Sequence, residues 1–197
     1  MKTRDRILEA ARVLFNEEGV AALSAVDIAT ALGISPGHLY YHFKGKPEIV
    51  AVLLEAYERE VATVLAAARD DCKGANATIE TLWTHLHILI EEAWDARFFY
   101  RETGALAHRQ PEAATCIRRV TAAQRAALAR LLVALKANGA IVASPEVLDG
   151  LSRMLVTGIG FHALELELEG DAGPPRERNA RAAAQLMLLV AALAPTA

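Results

Sequence analysis

The chain has 197 residues, of which 53% are hydrophobic and 23% charged, with a formal net charge of −3 and a sequence pI of about 6.1. That length and apolar content support a real core in one large domain or a small one joined to a larger one, and the many alanines among the apolar residues point to packed helices. The slightly acidic balance excludes nucleic-acid binding through bulk charge, so any such surface must be local.

Thr3 is expected to cap a first helix in which Ile7, Leu8, Ala11, Leu14 and Phe15 recur at helical spacing, with Gly19 ending it. Ser24 opens a second helix with Asp27 three residues on, a capping box in which each side chain satisfies the other's exposed amide. Ile28 and Leu32 form its apolar side, and Ala29 lets another helix cross closely. Gly33 supplies a left-handed turn position, and Ile34 is expected in the core. Ser35 as N-cap and Pro36 at the first position then start a third helix, which Gly45 and Pro47 stop after about two turns. This order and spacing is a helix-turn-helix.

At 100° per residue, Leu39 and Phe43 of the third helix fall on one side. Gly37, His38 and Tyr41 point the opposite way, with Tyr40 and His42 on the flanks. A helix this short must dock its apolar side on its neighbours. Outward it leaves aromatic rings, imidazoles and bare backbone, with Lys44 and Lys46 behind, as suits a DNA groove. The cations of residues 1–50 balance its acids in number but lie at the two ends of the segment, where they would flank such a groove.

Residues 4–50 resemble the DNA-binding domain of the TetR family of bacterial transcriptional regulators. The likeness is carried by Arg6 to Ala11, Leu14-Phe15, Gly19, Asp27-Ile28-Ala29, Leu32-Gly33-Ile34-Ser35 and Leu39-Tyr40-Tyr41-His42-Phe43-Lys44-Gly45-Lys46. It implies that Gly37, His38 and Tyr41 face the groove and that Tyr40, His42 and Lys46 contact the phosphate backbone. Ser24 counts among the DNA-binding residues, while Ser35 and Pro36 stand where a helix start holds a phosphate. Val26 departs from the pattern, since many relatives carry a polar or basic residue there; base readout is therefore expected to lean on the third helix.

Pro47 is expected to start a long fourth helix to about Asp71, with Val50, Leu53, Leu54, Tyr57, Val61, Val64 and Leu65 buried and Lys73-Gly74 closing it. A fifth helix over residues 76–95 carries two apolar stripes. One is Leu82, Leu86, Leu89 and Ala93; the other is Trp83, His87, Ile90 and Trp94. The second stripe reads either as the wall of an organic-ligand cavity or as core with His87 hydrogen-bonded inside. Phe98-Phe99-Tyr100-Arg101 follows and resembles one subgroup of the family; Phe98 and Phe99 join Trp83, His87, Ile90 and Trp94 as candidate ligand-binding residues. Breaks are expected near Gly104 and from His108 to Pro111.

Pro111 begins a helix through Cys116, Leu128, Leu131, Leu132 and Leu135 to Asn138-Gly139. Ser144-Pro145-Glu146 begins another with Leu148, Leu151, Leu155, Val156, Ile159 and Leu164 inward. Gly150, Gly158 and Gly160 within it suggest close approach of a second helix or a ligand. Glu165, Glu167 and Glu169 oppose the dipole at its C-terminus, so fraying is expected there. After a turn from Gly170 to Pro175, a last helix runs from about Arg176 to Ala194, and its second half is apolar on every side. Such a helix must be covered by protein. The cover is either the chain's own core or, as the resemblance implies, the last two helices of a second subunit in a homodimer.

No Gly-rich phosphate loop, nucleophile elbow or Cys-His zinc spacing occurs, so neither catalysis nor a cofactor is expected. His85 and His87 diverge on a helix, and His87 with Glu91 makes two ligands rather than a metal site. Cys72 and Cys116 have no redox-motif spacing and fit buried thiols in a reducing cytoplasm. No apolar export signal is seen, and the run from Leu186 to Leu193 is too short to span a bilayer. The sequence thus predicts a cytoplasmic, all-α regulator without membrane association. Residues 1–46 would bind DNA, and a long fourth helix would lead into residues 47–197 for ligand binding and dimerisation. The expected partners are a double-stranded palindromic operator and a small hydrophobic or aromatic effector that releases it. The alternatives are an effector-independent regulator or activator, and a helical small-molecule binder with a vestigial helix-turn-helix.

Overall fold

The computed structural model describes residues 2–72, 76–170 and 173–195, and all regular elements among them are helices. In chain order they are α1 (Thr3–Glu18), α2 (Ala25–Ala31), α3 (Pro36–His42), α4 (Lys46–Asp71), α5 (Ile79–Asp95), α6 (Arg97–Arg101), α7 (Thr103–Arg109), α8 (Pro111–Ala137), α9 (Pro145–Glu169) and α10 (Pro175–Ala191). They form two compact units. The first comprises Met1–Glu58 and Asp95–Ile117, the second Arg59–Trp94 and Arg118–Ala197.

In the first unit α1 packs on α2, α2 on α3, and α6 on both α1 and α7. Ile7, Ala11, Phe15, Ile28, Ala29, Leu39, Phe43, Ile49 and Val50 bury their apolar faces as their spacing requires. The α1 stop at Gly19 (φ 88°) and the turn at Gly33 (φ 66°) are both in the left-handed region that favours glycine. Residues 95–117 complete this unit, so its compact boundary differs from a division at residue 46. Phe98 packs against Phe15 with centroids 5.9 Å apart and the rings tilted by 50°, and the Cys116 thiol donates to the Leu54 carbonyl at 3.6 Å. Three local expectations change. Lys2, not Thr3, precedes the first helical turn, and the Asp5 carboxylate accepts its backbone N–H at 3.3 Å. Ile34 is half-buried instead of in the core. Gly104 lies inside α7, where a first-turn position tolerates it, and the break falls at Glu102, whose carbonyl accepts the Leu106 N–H at 2.8 Å.

In the second unit the buried residues of α5 are Leu82, His85, Leu86, Leu89, Ile90 and Ala93. Asn138, just past α8, donates from Nδ2 to the Ala77 carbonyl at 3.0 Å. Asp149 on α9 accepts from Arg125 of α8 at 2.7 Å and from Arg153 at 3.1 Å, which holds its carboxyl below the usual aspartate range. Gly158 is where α9 and α10 meet: an added Cβ would lie 2.4 Å from Leu186 Cδ2. Gly150 has nothing within 4 Å of that position, so no close approach explains it. The expected fraying is not seen, for α9 continues to Glu169 and Gly170 (φ 65°) then stops it. Acids in a last turn cost only about 0.3–1 kcal/mol each, less than the packing of a long helix supplies. The Lys73-Gly74 stop lies outside the described residues, as does part of the turn from Gly170 to Pro175.

Candidate DNA interface and ligand-binding face

The α3 helix is held from below and open above. The Ser35 hydroxyl accepts the His38 N–H at 3.2 Å, closing the first turn, and Pro36 presets the backbone. Leu39 and Phe43 are 0% and 1% exposed, with the Arg4 guanidinium 4.8 Å from the Phe43 ring centre. On the outer side Tyr41 is 83% exposed and Tyr40 50%. Gly37 and His38 are exposed beside them, and His42 is half-buried. The His42 ring lies 5.4 Å from that of His38 and edge-on to Tyr41 at 5.1 Å. Three rings are therefore gathered before any partner arrives, which reduces the ordering cost of a contact. Val26 stands exposed at the start of α2, an apolar residue on the same unit.

Two expected DNA contacts are engaged within the fold. The Lys46 ammonium donates to the Val20 carbonyl at 2.7 Å and to the Leu23 carbonyl at 2.5 Å, tying α4 to the α1–α2 turn. Ser24 donates its hydroxyl proton to Asp27 Oδ2 at 2.7 Å and accepts the Asp27 N–H at 3.2 Å. Those hydroxyl and backbone N–H bonds hold the Asp27 carboxyl below its usual range. Lys46 keeps one donor and Ser24 only acceptor capacity for anything outside.

The turn is held by groups that sequence reading missed. Glu102 Oε1 accepts the Val20 N–H at 2.5 Å, and its Oε2 accepts the Ala21 N–H at 3.2 Å. Asn16, 3% exposed, donates to the Asp95 carbonyl at 2.8 Å and accepts the Phe98 N–H at 2.9 Å. Arg101 donates to the Asn16 carbonyl at 2.7 Å. Asn16 gave one signal, a polar residue next to Phe15 at the edge of the apolar stripe; Glu102 and Arg101 gave none.

The candidate ligand residues divide between the units. Phe98 and Phe99 are buried in the first, Phe99 with its centroid 5.5 Å from Tyr57. Trp83, His87, Ile90 and Trp94 share one side of α5 in the second. Trp83 is exposed and stacks flat on His87 at 5.0 Å with 6° between the rings. Ile90 is fully buried, and Trp94 carries the Arg178 guanidinium at 4.4 Å. Along α9, Val147, Met154, Phe161 and Leu168 recur every seventh residue and are all exposed, as are Leu188 and Leu189 on α10. Among the described residues, no group of three or more His, Cys, Asp or Glu could hold a metal ion, and no helix is long and apolar enough to cross a membrane.

A short capped α3 presented outward beside α2, in a chain whose described regular elements are all helices, is the arrangement of a helix-turn-helix regulator. Residues 7–53 match the family described as bacterial regulatory proteins, tetR family, and residues 56–196 match the one described as TetR, bacterial transcriptional repressor. The chain belongs to the TetR family of transcriptional regulators. It is 33% identical over 117 residues to the HTH-type transcriptional regulator UidR of Escherichia coli K12, covering 59% of this chain and 57% of that protein. The HTH-type transcriptional repressor KstR2 of Rhodococcus jostii is 31% identical over 103 residues, covering 50% of this chain and 48% of that one. The chain thus spans about half the length of the curated relatives it matches. A TetR-family regulator from Marinobacter aquaeolei VT8 superimposes with a TM-score of 0.86 at 27% identity, over 99% of this chain and 92% of that one. The ketosteroid regulator KstR2 of Mycobacterium tuberculosis superimposes with a TM-score of 0.78 at 21% identity, over 99% of this chain and 96% of that one, which is a likeness of fold.

Proposed function

We propose that the protein is a homodimeric repressor whose two α3 helices read a palindromic operator and which a small hydrophobic or aromatic ligand releases. The observation that carries this reading is the outer face of α3, where Gly37, His38 and Tyr41 leave bare backbone, an imidazole and an exposed ring beside Tyr40. Gly37, His38 and Tyr41 are the base readers, Ser35, Pro36, Tyr40 and His42 contact phosphates, and Ser24 and Lys46 add what their internal bonds leave free. The seven-residue repeat of Val147, Met154, Phe161 and Leu168, with Leu188 and Leu189, supports dimerisation through α9 and α10, because an exposed apolar stripe of that period packs on a second helix. A two-fold dimer puts the two α3 helices about 34–36 Å apart, one turn of DNA. The α5 stripe of Trp83, His87, Ile90 and Trp94 supports an organic ligand, which releases DNA only by preferring the non-binding arrangement.

The test is a gel shift and a salt titration on palindromic fragments selected with the protein from random DNA. Binding that falls steeply with salt and is weakened at least tenfold by Tyr41→Ala or by the His38→Ala/Tyr40→Phe pair is expected. Selection of no palindrome, or equal binding by the variants, would refute α3 as the reader.

A further inference from the structure

A cavity of about 550 Å³ lies within the first unit, bordered by the α1–α2 turn, the start of α4, α7 and the start of α8. Small-molecule pockets run from about 300 to 1,000 Å³, so it is of ligand size. Four of its lining side chains are charged: Lys46, Glu102, Arg109 and Glu112. Their signs cancel, but their spare hydrogen-bonding capacity does not. Glu102 already gives both carboxylate oxygens to the Val20 and Ala21 amides. Glu112 is exposed in the first turn of α8, where the helix dipole favours an anion. Lys46 commits two donors to the Val20 and Leu23 carbonyls and keeps a third. Arg109 keeps its whole guanidinium fork, for it has no ion-pair or hydrogen-bond partner among the described residues. Pro47, Ala51, Leu106 and Pro111 supply apolar wall beside these donors. What the cavity has in surplus is therefore cationic donors next to an apolar surface.

We propose that this cavity is a site for a small organic acid, with its carboxylate held by Lys46 and Arg109 and its apolar body on Leu106 and the two prolines. The site uses none of the α5 residues, so it stands or falls apart from the ligand reading given for them. A neutral ligand would forgo the charge-assisted bonds that both cations offer, and a bare inorganic anion would leave the apolar wall wet. The same residues tie the site to the α1–α2 turn. Lys46 and Glu102 hold the backbone of Val20, Ala21 and Leu23, so opening the turn releases two walls of the cavity. A ligand bound there stabilises the closed turn by mass action, and that turn sets where α2 starts.

The experiment uses the full chain without DNA and measures calorimetric binding of benzoate, octanoate and 4-phenylbutyrate against their matched amides. At least one acid should bind, and at least about tenfold tighter than its amide. Arg109→Gln should weaken that acid about 10–100-fold by removing a charged donor. It should leave the ligand-free thermal midpoint within about 1 °C, because Arg109 is exposed and makes no bond to lose. Arg6→Gln makes the same change of charge at an exposed position of the same unit outside the cavity, and should leave binding as it was. With the acid at about ten times its Kd, hydrogen exchange at the Val20 and Ala21 amides should slow by about tenfold. Failure of all three acids, equal binding of acid and amide, or undiminished binding by Arg109→Gln would overturn the proposal. So would an equal loss in Arg6→Gln, or unchanged exchange at Val20 and Ala21 in the bound chain.

Discussion

Asn16 is the sharpest test of how the first unit is held together, because one buried carboxamide joins its two chain segments. Its Nδ2 serves the Asp95 carbonyl and its Oδ1 the Phe98 N–H, at 2.8 and 2.9 Å. Asn16→Ala removes both bonds. The Asp95 carbonyl keeps Arg12, which donates to it at 3.2 Å, so that acceptor is not orphaned. The Phe98 N–H is buried and would be left with nothing. The loss is then about 1 kcal/mol for the Asp95 bond plus about 1–3 kcal/mol for the stranded N–H. A total of about 2–4 kcal/mol corresponds to a fall in thermal midpoint of about 5–12 °C for a chain of this size. Hydrogen exchange gives the local reading, with protection at Phe98 falling by at least about tenfold, since every 1.4 kcal/mol is a factor of ten. Asn16→Asp separates the two halves, because its carboxylate still accepts from Phe98 but cannot donate to Asp95. It should retain Phe98 protection better than alanine does at neutral pH. A midpoint within about 1 °C of the parent for Asn16→Ala, with unchanged exchange at Phe98, would refute the stapling argument.

Lys46→Met removes charged donors from the Val20 and Leu23 carbonyls and should cost about 2–3 kcal/mol in thermal denaturation, whereas a purely DNA-directed lysine would leave the free protein's midpoint unchanged. Val26→Arg adds a cation at an exposed position of α2 and should tighten operator binding while steepening its salt dependence by about one ion; an unchanged slope would place this residue away from the phosphates. Gly158→Ala should destabilise by about 1–3 kcal/mol through Leu186, and Leu186→Ala should relieve much of that in a double-mutant cycle; additive losses would show that the two do not meet. Burial, opposed by the bond to Asn179, pushes the His162 imidazole below its ordinary 6.5. The folded state then binds fewer protons than the unfolded one, so stability contributed by neutral His162 is present above the ordinary value and declines as pH falls below it. His162→Gln should flatten the fall in midpoint between about pH 7 and 5, and an identical slope would remove His162 from the acid response.

The helix-turn-helix was legible because its instructions are local. Ser24 with Asp27, Gly33, Ser35 with Pro36, and the spacing of Leu39 and Phe43 each specify a cap, a turn or a buried side within a few residues, and each is found as expected. Residues 98–101 were less legible, since an aromatic cluster looks the same whether it lines a cavity or fills a core. Phe98 packs against Phe15, more than eighty residues earlier, a contact that no local spacing announces. Glu102 could not have been read at all, because a carboxylate that caps two amides of a distant turn leaves no trace in spacing or composition. The same distance effect hides Gln124, whose burial follows from its neighbours on α8 but whose lack of a partner is a property of everything around it. The candidate base readers lay on the legible side, since their direction follows from the wheel.

Sequence reading assigned Lys46 to the phosphates, and its geometry gives a more economical account of why a lysine stands there. The α1–α2 turn sets where α2 starts, and α2 carries α3. That turn has few apolar side chains to fix it: Val20 and Leu23 are buried, but Ala21 and Ala22 between them are exposed. Its backbone is instead held by two charged side chains, with Glu102 taking the Val20 and Ala21 amides and Lys46 serving the Val20 and Leu23 carbonyls. The anion meets the turn's donors and the cation its acceptors, and neither could replace the other. Gly19 belongs to the same arrangement, for beyond its positive φ, a Cβ there would meet Glu102 Oε1 at 2.6 Å. Aiming α3 therefore depends on a residue at the α6–α7 junction as well as on the helix-turn-helix itself, and residues 95–117 belong to the same compact unit as α1, α2 and α3.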